Sequence, residues 1–109
     1  MDTLLVVFNV IFLISCLSIS YLFKRFYPKE INILIGYRTK RSMASNEAWN
    51  FANGYSSSLL FSYSLITVAI QVVLFLIFDE RIAILVAASL WLILLVLTIV
   101  QTESKLKKL

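Results

Sequence analysis

Hydrophobic positions fill three long stretches of the chain, and polar positions separate them. The stretches run over about 3–23, 57–78 and 82–100. Each can form a helix that crosses a lipid bilayer, which takes about 20 predominantly apolar residues. Only the charged residues 79–81 separate the second and third stretches, so these two form a tight antiparallel hairpin. The pattern therefore predicts three transmembrane helices.

The connection between the first and second stretches, residues 24–56, has a pattern of its own. A segment of this length commonly has structure or function. Ser45 or Asn46 is suited to cap a helix, and the charge of Glu47 suits the first turn of that helix. Gly54 and the serines after it leave open whether the helix continues into the second stretch or breaks. We expect a structured, partly helical connection at the membrane surface.

Composition supports lipid as the solvent of this chain. Of its 109 residues, 61% are hydrophobic, against about 45–50% for a soluble domain, and the mean hydropathy is +0.91. A chain this short cannot bury so much apolar surface within itself. We therefore expect an all-α integral membrane protein with a single domain, residues 1–109. A signal peptide is the alternative for the first stretch, but no basic residue precedes it and no small-residue cleavage site follows it.

Weakly polar and small residues recur on one face of each predicted span. Such stripes let helices approach closely and form hydrogen bonds in lipid, within one chain or in a homo-oligomer. A polar path or cleft lined by Asn9 and Gln71 is the alternative interpretation. The stripes are Asn9, Cys16 and Ser20 on the first span, Ser57, Ser64, Thr67 and Gln71 on the second, and Ala83, Ala87 and Thr98 on the third.

The basic residues predict the orientation of the chain. Six of the ten Lys and Arg residues lie in the first connection and three follow the last span, whereas Arg81 stands alone. Cytoplasmic segments carry an excess of Lys and Arg. The amino terminus is therefore expected outside, and the connection and the carboxyl terminus in the cytoplasm. This orientation accounts for the net charge of +4, so no nucleic-acid partner is expected.

One dense polar patch, "GYRTKRSMASNEAW" at residues 36–49, lies within the connection. Its cations attract anionic lipids, each by about 1 kcal/mol near the surface. The alternative is a folded site in which the planar fork of Arg38 binds a phosphate or carboxylate, while hydroxyls and a helix N-terminus add donors. Glu47 is placed to pair with an arginine of the patch. Tyr37 and Trp49 flank the patch, and such amphipathic rings favour the headgroup level.

The residue inventory gives little support for catalysis. The chain has no His, and its one Cys, Cys16, lies in an apolar stretch, so we expect neither a disulfide nor a zinc site. Glu47 is the one acidic residue of the patch. A lone carboxylate beside arginines suits a salt bridge better than general-base catalysis. We expect no enzymatic activity and no cofactor.

The patch and its surroundings resemble the SdpI family of bacterial membrane proteins. The resemblance rests on Asn32, "IGYRTKRSM" at 35–43, "SNEAW" at 45–49, and Asn53. It implies a multi-pass protein of the bacterial plasma membrane with this motif in a cytoplasmic loop. The family is named for an immunity protein that is taken to protect the producing cell from a membrane-active peptide toxin and to hold a transcriptional repressor at the membrane.

The function implied by this resemblance is immunity to, or sensing of, a membrane-active peptide toxin, in which the motif relays occupancy or recruits a cytoplasmic regulator. The alternative is a protein that binds anionic lipid headgroups, or an accessory subunit of a membrane complex. The intramembrane candidate residues are Asn9 and Gln71. The candidate binding residues of the connection are Asn32, Gly36, Tyr37, Arg38, Thr39, Arg41, Ser42, Ser45, Asn46, Glu47, Trp49 and Asn53.

The expected orientation can be tested by cysteine labelling in a Cys16→Ser background. Lys40→Cys and Lys107→Cys should react with a membrane-impermeant maleimide only from the cytoplasmic side, and Arg81→Cys only from outside, because the basic clusters share one compartment. Reaction of Lys40→Cys and Lys107→Cys from opposite sides would contradict the three-span topology.

Overall fold

The computed structural model describes all residues, 1–109. It consists of three long helices, α1 (Thr3–Phe26), α2 (Asn46–Ile77) and α3 (Glu80–Leu106), and one 3₁₀ turn at Ser42–Ala44. All three long helices are long and apolar enough to cross a membrane. The prediction of an all-α membrane protein with three spans is thereby confirmed.

Helix α2 is one uninterrupted helix of 32 residues. It is about 48 Å long at about 1.5 Å per residue, whereas the hydrocarbon core is about 30 Å thick. The helix therefore does not break at Gly54 but continues into the second span. It begins at Asn46, well before the start expected for the span. Ser45 is its N-cap, and its hydroxyl accepts a hydrogen bond of 3.0 Å from the N–H of Ala48. The last four residues of the polar patch, 46–49, therefore lie on the same continuous helix as the second span.

The hairpin between α2 and α3 is as tight as predicted. Only Phe78 and Asp79 connect the two helices, and the Asp79 carboxylate caps α3 by accepting a hydrogen bond of 2.8 Å from the N–H of Ile82. The backbone N–H of Asp2 donates to Glu80 Oε1 at 2.7 Å. The first residues of α1 are thus tied to the tip of the hairpin.

The interior of the bundle is polar and its exterior is apolar. Of the 19 buried residues, eleven are polar, and every member of the three predicted stripes is among the buried residues. Large hydrophobic side chains lie outside, as shown by Leu76 at 77% exposure and Ile93 at 63%. Lipid accounts for this inversion, because an apolar side chain gains nothing by leaving lipid tails for a protein interior.

Buried amides join all three helices near the hairpin tip. The Gln71 amide donates to Asn9 Oδ1 at 2.9 Å, and the Asn9 amide donates to the backbone carbonyl of Glu80 at 2.9 Å. Farther along the bundle, the indole N–H of Trp91 donates to Ser64 Oγ at 3.1 Å. These bonds support the packing interpretation of the polar stripes.

The position of Asn9 predicts a loss of stability on substitution. Asn9→Leu removes the bonds to α2 and α3 and should lower the free energy of unfolding by about 1–2 kcal/mol, the upper range for interhelical hydrogen bonds in membranes. Ser89→Leu is the control, because Ser89 is exposed to lipid on α3, and should change stability by less than about 0.5 kcal/mol. Steric-trap unfolding in bicelles measures both. Equal effects would contradict a structural role for Asn9.

Candidate functional site

Trp49 is the centre of the folded connection. Its side chain is fully buried at 0% exposure, and its indole N–H donates to the backbone carbonyl of Pro28 at 2.8 Å. Gly36 lies against the far edge of the ring, where an added Cβ would be 3.1 Å from Cζ2 and 3.2 Å from Cη2. The flanking position of Trp49 suggested a ring at the lipid headgroups, but the structure encloses the ring within the protein. It holds two distant points of the connection together.

Asn53 fixes the backbone next to this ring. Its amide is fully buried, and Oδ1 accepts a hydrogen bond of 2.7 Å from the N–H of Tyr37 while Nδ2 donates to the carbonyl of Trp49 at 2.9 Å. Gly36 has a φ of +110°, which strains residues with a side chain. A Cβ at Gly36 would also lie 2.7 Å from Asn53 Oδ1. Glycine is required here both by conformation and by space.

Thr39 and Ser42 close the following turn through a reciprocal pair of hydrogen bonds. The N–H of Thr39 donates to Ser42 Oγ at 2.8 Å, and the N–H of Ser42 donates to Thr39 Oγ1 at 3.1 Å. The buried hydroxyl of Ser42 donates to the carbonyl of Tyr37 at 2.9 Å. These two side chains therefore hold the backbone of the motif, and the buried Ser42 hydroxyl is not accessible to a ligand.

Tyr37 connects the motif to the third helix. It packs against a small apolar cluster that includes Ala48 and Leu106, and its hydroxyl donates to the carbonyl of Ile99 at 3.3 Å. Burial, and secondly the negative charge of Glu103, raises the pKa of Tyr37 to about 12. The phenol therefore keeps its proton at physiological pH and remains a hydrogen-bond donor to α3.

Asn32 stabilises a separate turn of the connection. Its Oδ1 accepts hydrogen bonds from the N–H groups of Leu34 at 3.0 Å and Ile35 at 2.7 Å. The turn presents Ile33, Leu34 and Ile35, which are 75%, 82% and 64% exposed. An exposed apolar group of this kind is typical of an interaction surface. Asn32 holds this apolar tip and is not brought into contact with the charged candidates.

The charged side chains of the motif lie on its outside. Arg38, Lys40 and Arg41 are all exposed. Glu47 is exposed in the first turn of α2, where its charge favours the helix dipole, and it pairs with neither arginine. Asn46, the first residue of α2, is exposed beside it. The motif thus consists of a buried frame and an outer set of unpaired cationic groups.

The intramembrane candidates Asn9 and Gln71 lie toward the opposite end of the bundle from the motif. Besides bonding to each other, they line a groove of about 180 Å³ between α1 and α2 together with Leu13 and Phe75. The amide nitrogen of Gln71 is bonded, but its amide oxygen, Oε1, is buried without a hydrogen-bond partner. The structure therefore separates the sequence-predicted residues into two places, one in the membrane and one in the connection.

Several partners in this site lie outside the predicted set. The acceptors for Trp49 and Tyr37 are the backbone carbonyls of Pro28 and Ile99. A carbonyl is present at every position, so no residue type identifies these acceptors. Glu103 could have been noticed in the sequence only as an isolated carboxylate near the end of an apolar helix, which is a weak indication of a role in this site.

Comparison with known proteins agrees with this organisation. The model of the SdpI/YfhL protein family matches residues 29–101, a range that includes the motif, α2 and most of α3. The chain belongs to the SdpI/YfhL family. One relative, the uncharacterized protein YfhL of Bacillus subtilis (strain 168), is 39% identical over 87 residues, which are 79% of this chain and 74% of the relative. No solved structure matches the chain.

The chemistry offered by the motif is that of cationic donors on a fixed frame. A guanidinium group presents a planar fork that matches a carboxylate or a phosphate, and an ammonium group adds a point charge. The structure contains no group of three or more His, Cys, Asp or Glu residues that could hold a metal ion. The arrangement suits recognition of an anionic group outside the bundle.

The two glycines of the chain provide a matched test of the frame. Gly36→Ala should lower the free energy of local opening of the motif by about 2 kcal/mol, because it adds backbone strain and a contact of 2.7 Å with Asn53 Oδ1. Gly54→Ala is the control, since its Cβ would lie 3.4 Å from the Tyr27 hydroxyl and alanine favours a helix. Hydrogen exchange at the Tyr37 amide should accelerate more than about tenfold only in Gly36→Ala. Unchanged exchange in that variant would refute the frame.

Proposed function

We propose that this SdpI-type membrane protein senses a membrane-active peptide toxin and confers immunity to it, with the motif as its cytoplasmic output. Its setting is the bacterial plasma membrane, with the amino terminus outside. Membership of the SdpI/YfhL family supports the general role. The bundle contributes a way to connect events in the membrane with the motif.

The observation that carries the proposal is the attachment of the motif to two helices at once. Its backbone is bonded to Asn53 of α2 at 2.7 Å, and its Tyr37 hydroxyl is bonded to the Ile99 carbonyl of α3 at 3.3 Å. A peptide that enters the bilayer and shifts α3 against α2 would strain one of these bonds. Such a shift would change the position or the mobility of the motif.

The unpaired cations give this movement an output. Arg38 directly follows Tyr37 in the chain, so a displacement of the Tyr37 backbone also moves the Arg38 guanidinium group. Arg38 and Arg41 are exposed and free to bind a carboxylate or phosphate of a cytoplasmic regulator. Toxin occupancy would then alter how well the regulator is held at the membrane.

A conservative substitution tests this output. In bacteria that are killed by a panel of membrane-active peptide toxins, expression of the protein should raise the lethal concentration of at least one peptide. Arg38→Lys should reduce that protection by about tenfold although the charge is kept, because one bidentate, charge-assisted hydrogen bond is lost.

Lys40→Ala is the matched control, since it removes a full charge from a neighbouring exposed position. It should reduce protection less than about twofold if geometry rather than charge matters. Immunoblots of the membrane fraction establish equal amounts of each variant. If expression of the parent protein protects against none of the peptides, the proposal is refuted. Full protection by Arg38→Lys would refute the role of the guanidinium fork.

Binding of anionic lipid headgroups by the motif is the second candidate function. The observation in its favour is that Arg38, Lys40 and Arg41 are exposed and that the apolar tip, residues 33–35, is exposed shortly before them in the chain. Basic groups next to a membrane surface attract anionic lipids. Lipid retention by Arg38→Ala, measured together with the groove variants described below, tests this function.

A further inference from the structure

A groove open to lipid runs between α1 and α2 on the side of the bundle nearer the motif. The groove is shallow, with a volume of about 330 Å³, and it is lined by Leu17, Ser18 and Tyr21 of α1 and by Phe61 and Leu65 of α2. The rings of Tyr21 and Phe61 are 6.0 Å apart and inclined by 60°. The two aromatic rings form walls that suit a flexible hydrocarbon chain.

A positive charge lies at one end of this groove. Lys24 is one helical turn beyond Tyr21, and its Nζ lies 5.1 Å from the centre of the Phe61 ring. This cation–π contact holds the ammonium group over the groove wall. No residue that lines the groove is acidic, so the charge is available to an external anion.

Two hydroxyl groups add polar contacts along the same helix. Ser18 and Tyr21 are exposed, so their hydroxyl groups are accessible from outside the bundle. The neighbouring Ser20 differs, because it is buried and donates to the Cys16 carbonyl at 2.7 Å. The exposed hydroxyls of Ser18 and Tyr21 can donate to ester or phosphate oxygens at the edge of the hydrocarbon layer.

The order of these groups matches an amphipathic molecule. From Leu17 to Lys24 is about two helical turns, or about 10 Å along α1. Over that distance the lining changes from apolar, through aromatic and hydroxyl, to cationic. A glycerophospholipid changes from acyl chain to ester to phosphate in the same direction when it lies in the leaflet on the Lys24 side.

We propose that this groove binds one anionic phospholipid, with its phosphate beside Lys24 Nζ and an acyl chain against Tyr21 and Phe61. The site differs from the motif, since its residues belong to α1 and to the middle of α2. It does not depend on the toxin-sensing function. The occupied groove would fasten α1 to α2 through a lipid.

Native mass spectrometry of the full-length protein in mild detergent tests the proposal. The protein is titrated with phosphatidylglycerol or with phosphatidylcholine of the same acyl chains. The parent should bind the first phosphatidylglycerol about fivefold more tightly than phosphatidylcholine, because one lysine at a membrane surface attracts an anionic lipid by about 1 kcal/mol. Lys24→Gln should abolish the preference, and Lys24→Arg should keep it because the charge is kept.

A groove-filling variant tests the site itself. Ser18→Phe places a ring in the groove from an exposed position and should weaken retention of both lipids by about fivefold or more. Ile19→Phe places a ring at the neighbouring exposed position of α1, which does not line the groove, and should leave retention unchanged. Circular dichroism of each variant establishes that the helices are intact, so that a loss of lipid reports on the groove.

Three outcomes would overturn the proposal. Lys107→Gln, at an exposed lysine after α3, could lower the phosphatidylglycerol preference as much as Lys24→Gln, which would mean diffuse charge attraction. Ser18→Phe could retain both lipids like the parent. The preference could also vanish in Arg38→Ala and persist in Lys24→Gln, which would assign lipid binding to the motif.

Discussion

Polar groups that enter the hydrocarbon layer are costly to leave without a partner, and the structure follows from this constraint. Lipid tails solvate Leu, Ile and Phe as well as a protein interior does, so these residues face outward. The groups that need shelter are amides, hydroxyls and indole N–H groups, and they fill the centre. The Asn9 amide illustrates the result, because its bonds to Gln71 and to the Glu80 carbonyl join three helices at one point.

The same constraint explains the composition of the motif. Where the chain leaves regular helix near the membrane, its backbone N–H and C=O groups lose their partners. Asn53, Ser42 and Trp49 replace these partners, and all three side chains are completely buried. Residue types that suggest a binding site are therefore largely committed to the backbone. The cations remain outside because charge is the most expensive group to bury.

The sequence predicts the helices and their buried faces well, because hydropathy and helical spacing report directly on lipid exposure. It also narrows the cap of α2 to Ser45 or Asn46, of which the structure shows Ser45. It fails where a side chain has several possible partners. Glu47 lies near arginines in the sequence but forms no salt bridge with them, and the position of Trp49 suggests the membrane interface although its side chain is enclosed by protein. It also left open the continuity of α2 through Gly54, since helix propensity at one glycine is a small term beside the packing of a long helix.

The closure at Trp49 has a consequence for the segment between Pro28 and Gly36. Both ends of this segment meet the same indole, one through a carbonyl and the other through the absent side chain of a glycine. The part of this segment before Asn32 can therefore vary in length while the base of the segment stays in place, as in a surface loop whose stem is clamped. This makes residues 29–31, ahead of Asn32 and the turn that it holds, the natural position for an engineered epitope or a fluorescent reporter.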